Sequence, residues 1–119
     1  NYGNDAVCWN PEGVGGATFF KREVYLECGG YNEKLPGCYW EDYEIVARFT
    51  ILGYPPFSLK DANLYHLQHT RTSPGRRDPL WHTNEAEYKR VLAMSPEQLR
   101  AYVAEELLGR PGLAERTSS

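Results

Sequence analysis

The stretch GCYWEDYEIVARFTILG, residues 37–53, decides how the chain is read. Ile45, Val46, Phe49 and Leu52 recur at helical spacing, which predicts an amphipathic helix over 41–52, and Gly53 stands where a left-handed C′ residue ends such a run. Two adjacent carboxylates, Glu41 and Asp42, open that helix directly behind two aromatics, Tyr39 and Trp40. The helix macrodipole favours negative charge at its start, so a capping role by itself accounts for one of the acids. A carboxylate where a loop becomes a helix also projects into whatever cleft the loop borders, and a general base must reach its proton directly or through one water.

Upstream, residues 17–20 (ATFF) are small and apolar and suit a buried strand. KREVYLECGG, residues 21–30, then reads as a helix: Val24, Tyr25 and Cys28 recur at three- and four-residue spacing, and Gly29 and Gly30 supply its left-handed termination. Residues 1–16 and 31–40 are rich in turn formers and read as loop. Downstream, an extended segment is expected from about Pro56 and a second strand over 64–69, followed by a long polar loop, 70–83, expected to be mobile. Two helices close the chain, one over 84–94 and one with Ser95 as N-cap, Pro96 at N1 and Gln98 at N3, the pattern of a capping box. The order predicts an α/β fold, a small mixed sheet with the 41–52 helix against one face. The expected divisions are 1–83, a helical extension 84–109 and a disordered tail 110–119.

A chain of 119 residues fits one domain. A globule of that size buries roughly two-thirds of its unfolded surface, so a core can form. A formal net charge of -3 gives no broad basic face, which argues against nucleic acid as a partner. Three cysteines without a C-x-x-C pair signal neither a disulfide framework nor a zinc knuckle, and mildly favour a reducing compartment. No apolar run approaches the ~18 residues of a membrane span, and the N-terminus lacks a charged start followed by an apolar core. The first residue is Asn rather than Met, which suggests a piece of a longer protein.

Several further residues are candidates for chemistry. His66 and His69 lie in LYHLQH. Their odd spacing puts them on opposite faces of a strand, whereas on a turn they converge. Imidazole suits Mn²⁺ or Zn²⁺, and acidic companions favour the harder Mn²⁺ or Mg²⁺; an ordinary surface histidine is the plainer reading of either alone. Arg71, Arg76 and Arg77 can fork onto phosphates or simply solvate the loop. Tyr39 and Trp40 can stack on the C–H face of a hexose or anchor a core. Gly15-Gly16 and Gly29-Gly30 do not sit between a strand and a helix start, so neither is a phosphate-cradling loop. With only His66, His69 and His82 and no H-E-x-x-H, a zinc hydrolase is a distant reading.

Taken in order, GGATFFKREVYLECGGYNEKLPGCYWEDYEIVARFTILGY followed by ANLYHLQH resembles the C-terminal, acceptor-side half of inverting GT-A fold glycosyltransferases. The likeness is to the family-2 polysaccharide and rhamnosyl-type transferases and to the galactosyltransferase C-terminal region, and it covers about 15–69. The resemblance implies that Asp42 is the base that deprotonates the acceptor hydroxyl and that Glu41 holds the acceptor sugar. It places Trp40 and Tyr39 on the acceptor side, Gly15 and Gly16 at the sugar site, Arg48 as a brace of the helix, and Arg71 in a loop that orders over nucleotide. His66, with His69 as the alternative, would complete a Mn²⁺ or Mg²⁺ site. The implied partners are a nucleotide-diphospho-sugar donor and a carbohydrate acceptor.

These enzymes also carry a D-x-D metal motif in an N-terminal half, and none occurs among Asp5, Asp42, Asp61 and Asp78. The expectation is therefore a piece of a transferase, inactive alone, that needs its N-terminal half and can self-associate through an exposed sheet edge. Location follows the source: bacterial cytoplasm, or the Golgi lumen for an animal enzyme. The alternative is a non-catalytic carbohydrate-binding or interaction module on the same scaffold.

Overall fold

A computed structural model describes residues 17–57, 70 and 72–108. Its elements are α1 (Arg22–Glu27), α2 (Glu41–Ile51), a 3₁₀ turn (Gly75–Arg77), α3 (Pro79–Leu92), α4 (Pro96–Tyr102) and a turn of π-helix (Val103–Leu107) that continues α4. Among the described residues there is no β-strand, and the expected α/β fold with a small mixed sheet is corrected to a helical one. Residues 17–20, expected as a strand, run without a ladder partner; Phe19 is 86% exposed, while Phe20 turns onto the rings of Tyr25 and Phe49. Pro56 and Phe57 form no strand either, and the remainder of that segment, with the strand expected over 64–69, lies outside the described residues. So do residues 1–16 and the tail 110–119.

The helices form where the spacing predicts, for reasons visible at their ends. α1 closes with hydrogen bonds from Gly29 N to Leu26 O (3.1 Å) and from Gly30 N to Tyr25 O (2.9 Å), the paired pattern of a Schellman motif with Gly29 at φ +89°. α2 closes the same way, Gly53 N to Thr50 O (3.1 Å) and Tyr54 N to Phe49 O (2.8 Å), with Gly53 at φ +101°. At α4 the capping box is complete: Ser95 Oγ accepts from Gln98 N at 3.1 Å, and Gln98 Oε1 accepts from Ser95 N at 2.9 Å.

α3 differs from expectation. It starts at Pro79 rather than 84, because Asp78 is an N-cap whose Oδ1 accepts from Leu80 N at 2.9 Å and Pro79 takes N1. Within the loop expected over 70–83, residues 75–77 form the 3₁₀ turn and 79–83 already belong to α3, while 70 and 72–74 have no regular structure.

Two apolar clusters hold these elements. Cys28, Ile45 and Phe49 join α1 to α2, with Phe20, Val24, Tyr25 and Val46 around them. Val91, Leu99, Tyr102, Val103 and Leu107 join α3 to α4 and the π turn. Leu52 packs against both, so the end of α2 is the hinge point of the core. Each fully buried side chain of this kind contributes roughly 1.5–3 kcal/mol.

Polar side chains occupy the seam between the clusters. Glu44 and Arg48 are buried to 0% exposure and pair through Nε–Oε1 (2.8 Å) and Nη2–Oε2 (2.9 Å), and Arg48 Nη1 also donates to the Cys28 carbonyl. Asn32 Nδ2 faces Glu44 Oε1 (3.4 Å), Glu87 Oε1 (3.2 Å) and the Tyr102 hydroxyl (3.2 Å), which itself donates to Glu87 Oε1. One amide therefore bridges α2, α3 and α4.

Candidate functional site

The start of α2 is unusual in its backbone. Trp40, its N-cap residue, has φ +68° and ψ -5°, the left-handed region, and is the one non-glycine residue with positive φ among those described. For a bulky residue such a conformation costs on the order of 1–3 kcal/mol and persists only where the surroundings hold it. Here they do. The indole stacks on Tyr88 (centroids 5.4 Å, planes 20° apart), meets Trp81 edge-on at 5.2 Å and leans on Tyr43 at 5.7 Å.

Tyr39 is anchored from a different side. Its ring meets Trp81 edge-on at 5.4 Å, its hydroxyl lies 2.7 Å from Ser73 Oγ and donates to Asp78 Oδ2 at 3.2 Å, and only 6% of it is exposed. Its carbonyl accepts from Asn84 Nδ2 at 3.0 Å. Tyr39 is therefore a fixed post of the site. Tyr43, 47% exposed, is the ring of this cluster most open to solvent.

The two acids sit half-buried beyond this cluster. Burial pushes the Asp42 carboxyl above the usual carboxylate range. Glu41 is raised as well: burial is the largest cause, its own backbone amide works the other way, and the Asp42 charge adds to the rise. The phenol of Tyr31 is raised by burial first and then by the charge of Asp42, with smaller contributions from Tyr25 and Glu41, so it faces the acids. Among the described residues no cation forms an ion pair with Glu41 or Asp42.

Three buried polar atoms around this junction have no hydrogen-bond partner among the described residues: Trp40 Nε1, Glu41 Oε2 and Asn84 Oδ1. Such orphans are uncommon in native structures, and each calls for a cause: stored strain, a catalytic role, or a water or ion that completes it. The junction thus presents two carboxyl groups of raised basicity beside an aromatic wall.

Of the residues expected from sequence to build a site, the structure brings together Tyr39, Trp40, Glu41 and Asp42. Gly15, Gly16, His66, His69 and Arg71 lie outside the described residues. Arg76 stands with its guanidinium 6.0 Å from the centroid of Trp81, and His82 Nε2 is 2.9 Å from the Arg76 carbonyl. Among the described residues no three His, Cys, Asp or Glu side chains gather as a metal site. No helix among them is long and apolar enough to cross a membrane.

Sequence reasoning missed Tyr31, Tyr43, Trp81, Asn84 and Tyr88. One signal was present: Trp81, Asn84 and Tyr88 recur at three and four residues, a stripe along one face of α3. A cleft of about 330 Å³ lies elsewhere, between Glu27, Leu52, Tyr54 and Arg100. It sits at the far end of α2, roughly 15 Å from Asp42 at 1.5 Å per residue.

Compared with models of protein families, with curated proteins and with solved structures, the chain matches none.

Proposed function

We propose that this chain carries the acceptor side of a glycosyltransferase that uses a nucleotide-diphospho-sugar and inverts the anomeric centre. The observation that carries the reading is the pair Glu41 and Asp42, both raised above ordinary carboxylate pKa by burial, at a helix start whose N-cap Trp40 is held in a left-handed conformation. Backbone strain confined to the residue before two desolvated acids is what a preorganised site displays.

In this reading the acceptor hydroxyl gives its proton to the Asp42 carboxylate. The acceptor oxygen forms a bond to the anomeric carbon while the bond from that carbon to the diphosphate breaks, and the diphosphate leaves with the electron pair. Glu41 accepts a hydrogen bond from a neighbouring hydroxyl once its carboxyl turns to bring out Oε2, which is buried and without a partner among the described residues. Tyr43 offers the open ring face on which a hexose packs, with Trp40 and Tyr88 as its support and Tyr39 behind them on Trp81. Desolvation makes the Asp42 carboxylate a stronger base once it is ionised.

The donor site and its metal belong, in this reading, to an N-terminal half with a D-x-D motif, which the present sequence lacks. The same lack favours a second reading, a carbohydrate-binding module that transfers nothing.

The deciding experiment is a transfer assay on the protein translated from the complete natural reading frame, with a panel of nucleotide-diphospho-sugars and Mn²⁺. Asp42→Asn is expected to lower kcat by about 10²–10⁴-fold, the span of general base catalysis. Transfer by Asp42→Asn within threefold of wild type overturns the assignment of the base. Glycan binding that survives chelator, without transfer from any donor, replaces the enzyme with the binding module.

A further inference from the structure

We propose that Asn84 is a positioning residue, whose side-chain amide holds the 36–40 loop in the shape that aims Glu41 and Asp42. Asn84 is fully buried and donates from Nδ2 to two backbone carbonyls, Pro36 O at 2.8 Å and Tyr39 O at 3.0 Å. Both protons of the amide are thereby used, and the two carbonyls are drawn to one nitrogen. The intervening Gly37, at φ +82°, and the exposed Cys38 bulge outward.

The amide orientation is dictated by chemistry. Turned over, it would set Oδ1 against two carbonyl oxygens with no proton between them, so the nitrogen must face the loop. Oδ1 is then left without a partner, as observed.

The clamp acts directly on the strained residue. Asn84 fixes the carbonyl of Tyr39, and the next residue is Trp40 in its left-handed conformation. The stripe of α3 that carries Asn84 also carries Trp81 and Tyr88, which hold the Trp40 ring. Backbone and ring are therefore gripped from a single helix face, and α3 is a wall of the site. A site residue held by its neighbours in this way owes its aim to them, since a misplacement of about 1 Å can lower a rate by roughly 10².

The catalytic consequence rests on Asp42 as base, whereas the clamp rests on geometry alone. The test is carboxyl titration of Glu41 and Asp42 by ¹³C NMR in the 119-residue chain, comparing wild type with Asn84→Ala and with Asn84→Leu, which keeps the volume. Release of the loop exposes both acids, and their pKa values fall toward the ordinary carboxylate range. Val91→Ala, which loosens the core elsewhere, leaves both titrations in place. In the complete protein, Asn84→Ala lowers kcat by about 10–100-fold with a smaller change in acceptor KM.

Unchanged titrations in whichever Asn84 variant folds overturn the clamp, as does loss of the whole fold in both. Moved titrations together with an Asp42→Asn enzyme of full activity support the clamp and overturn only the reading of Asp42.

Discussion

Glu44 and Arg48 form an ion pair one helical turn apart on α2 with neither side chain exposed, and the guanidinium also caps the end of α1 through the Cys28 carbonyl. The bidentate contact satisfies both carboxylate oxygens, and Asn32 adds a third donor at 3.4 Å. A buried pair of this kind gives little net stability against an apolar replacement, yet removing one partner leaves a charge stranded. Glu44→Gln or Arg48→Met is expected to cost about 3–5 kcal/mol in urea unfolding. The double replacement Glu44→Leu with Arg48→Met is expected to cost less than either single change.

Glu87 links pH to this same network. Burial works against its carboxylate, but hydrogen bonds from Arg90, Tyr102 and Asn32 together outweigh it, and its pKa lies below the usual 4.5. The unfolded chain therefore takes up this proton at a higher pH than the native one. Its contribution is fully present above 4.5 and is lost as pH falls through the lower native value. Urea unfolding from pH 6 to pH 3 should show a steeper acid loss in wild type than in Glu87→Gln.

Asp42 has the opposite sign. Its native pKa is raised by burial, so the unfolded chain loses this proton first, and stability falls as pH climbs from the ordinary carboxylate value through the native one. Asp42→Asn removes that liability. Its thermal midpoint should exceed that of wild type at pH 7 and converge with it near pH 3. The gain is expected to stay within about 1 kcal/mol, because the side chain is only half-buried and solvent screens it. A variant more stable yet inactive is the pattern of a residue kept for chemistry.

Much of this was open to inspection in the sequence, and what was not has physical reasons. The 3.6-residue spacing of Ile45, Phe49 and Leu52 exposed α2, and the Ser95-Pro96-Gln98 pattern exposed the start of α4, because both signals are local. Asp78-Pro79 is an equally local N-cap and N1 pair, but it was masked by the polar, Pro- and Gly-bearing run around it. The stretch 17–20 shows the limit of short apolar runs, since four residues cannot tell a paired strand from an extended lead-in to a helix.

The acids Glu41 and Asp42 stood out by position. Asn84 and Glu44 did not, and Arg48 entered only through the resemblance, as a brace of the helix, because polar residues on a helix read as solvated until long-range partners appear. The stack of Trp40 on Tyr88 joins residues 48 positions apart, and no local pattern encodes it.

Gly29 and Gly53 end their helices alike, and replacing each by alanine separates backbone strain from packing. Both have positive φ, +89° and +101°, so a Cβ at either position meets a left-handed penalty of about 1–2 kcal/mol. At Gly53 nothing lies within 4 Å of the added methyl. At Gly29 the methyl would stand 2.9 Å from Leu107 Cβ and 3.2 Å from Val103 Cγ1, both on the π turn that continues α4. That contact lies in the core, so overpacking adds about 1–3 kcal/mol. Gly53→Ala should therefore lower the thermal midpoint by several degrees, and Gly29→Ala by about twice as much. Leu107→Ala in the Gly29→Ala background removes the 3.2 Å contact with Leu107 Cδ1 but keeps the Cβ at 2.9 Å, so it should recover only a minor part of the packing loss and none of the backbone strain. Double-mutant coupling of about 1 kcal/mol or more between positions 29 and 107 would place the π turn directly on the end of α1. Coupling near zero would mean that the two ends relax independently.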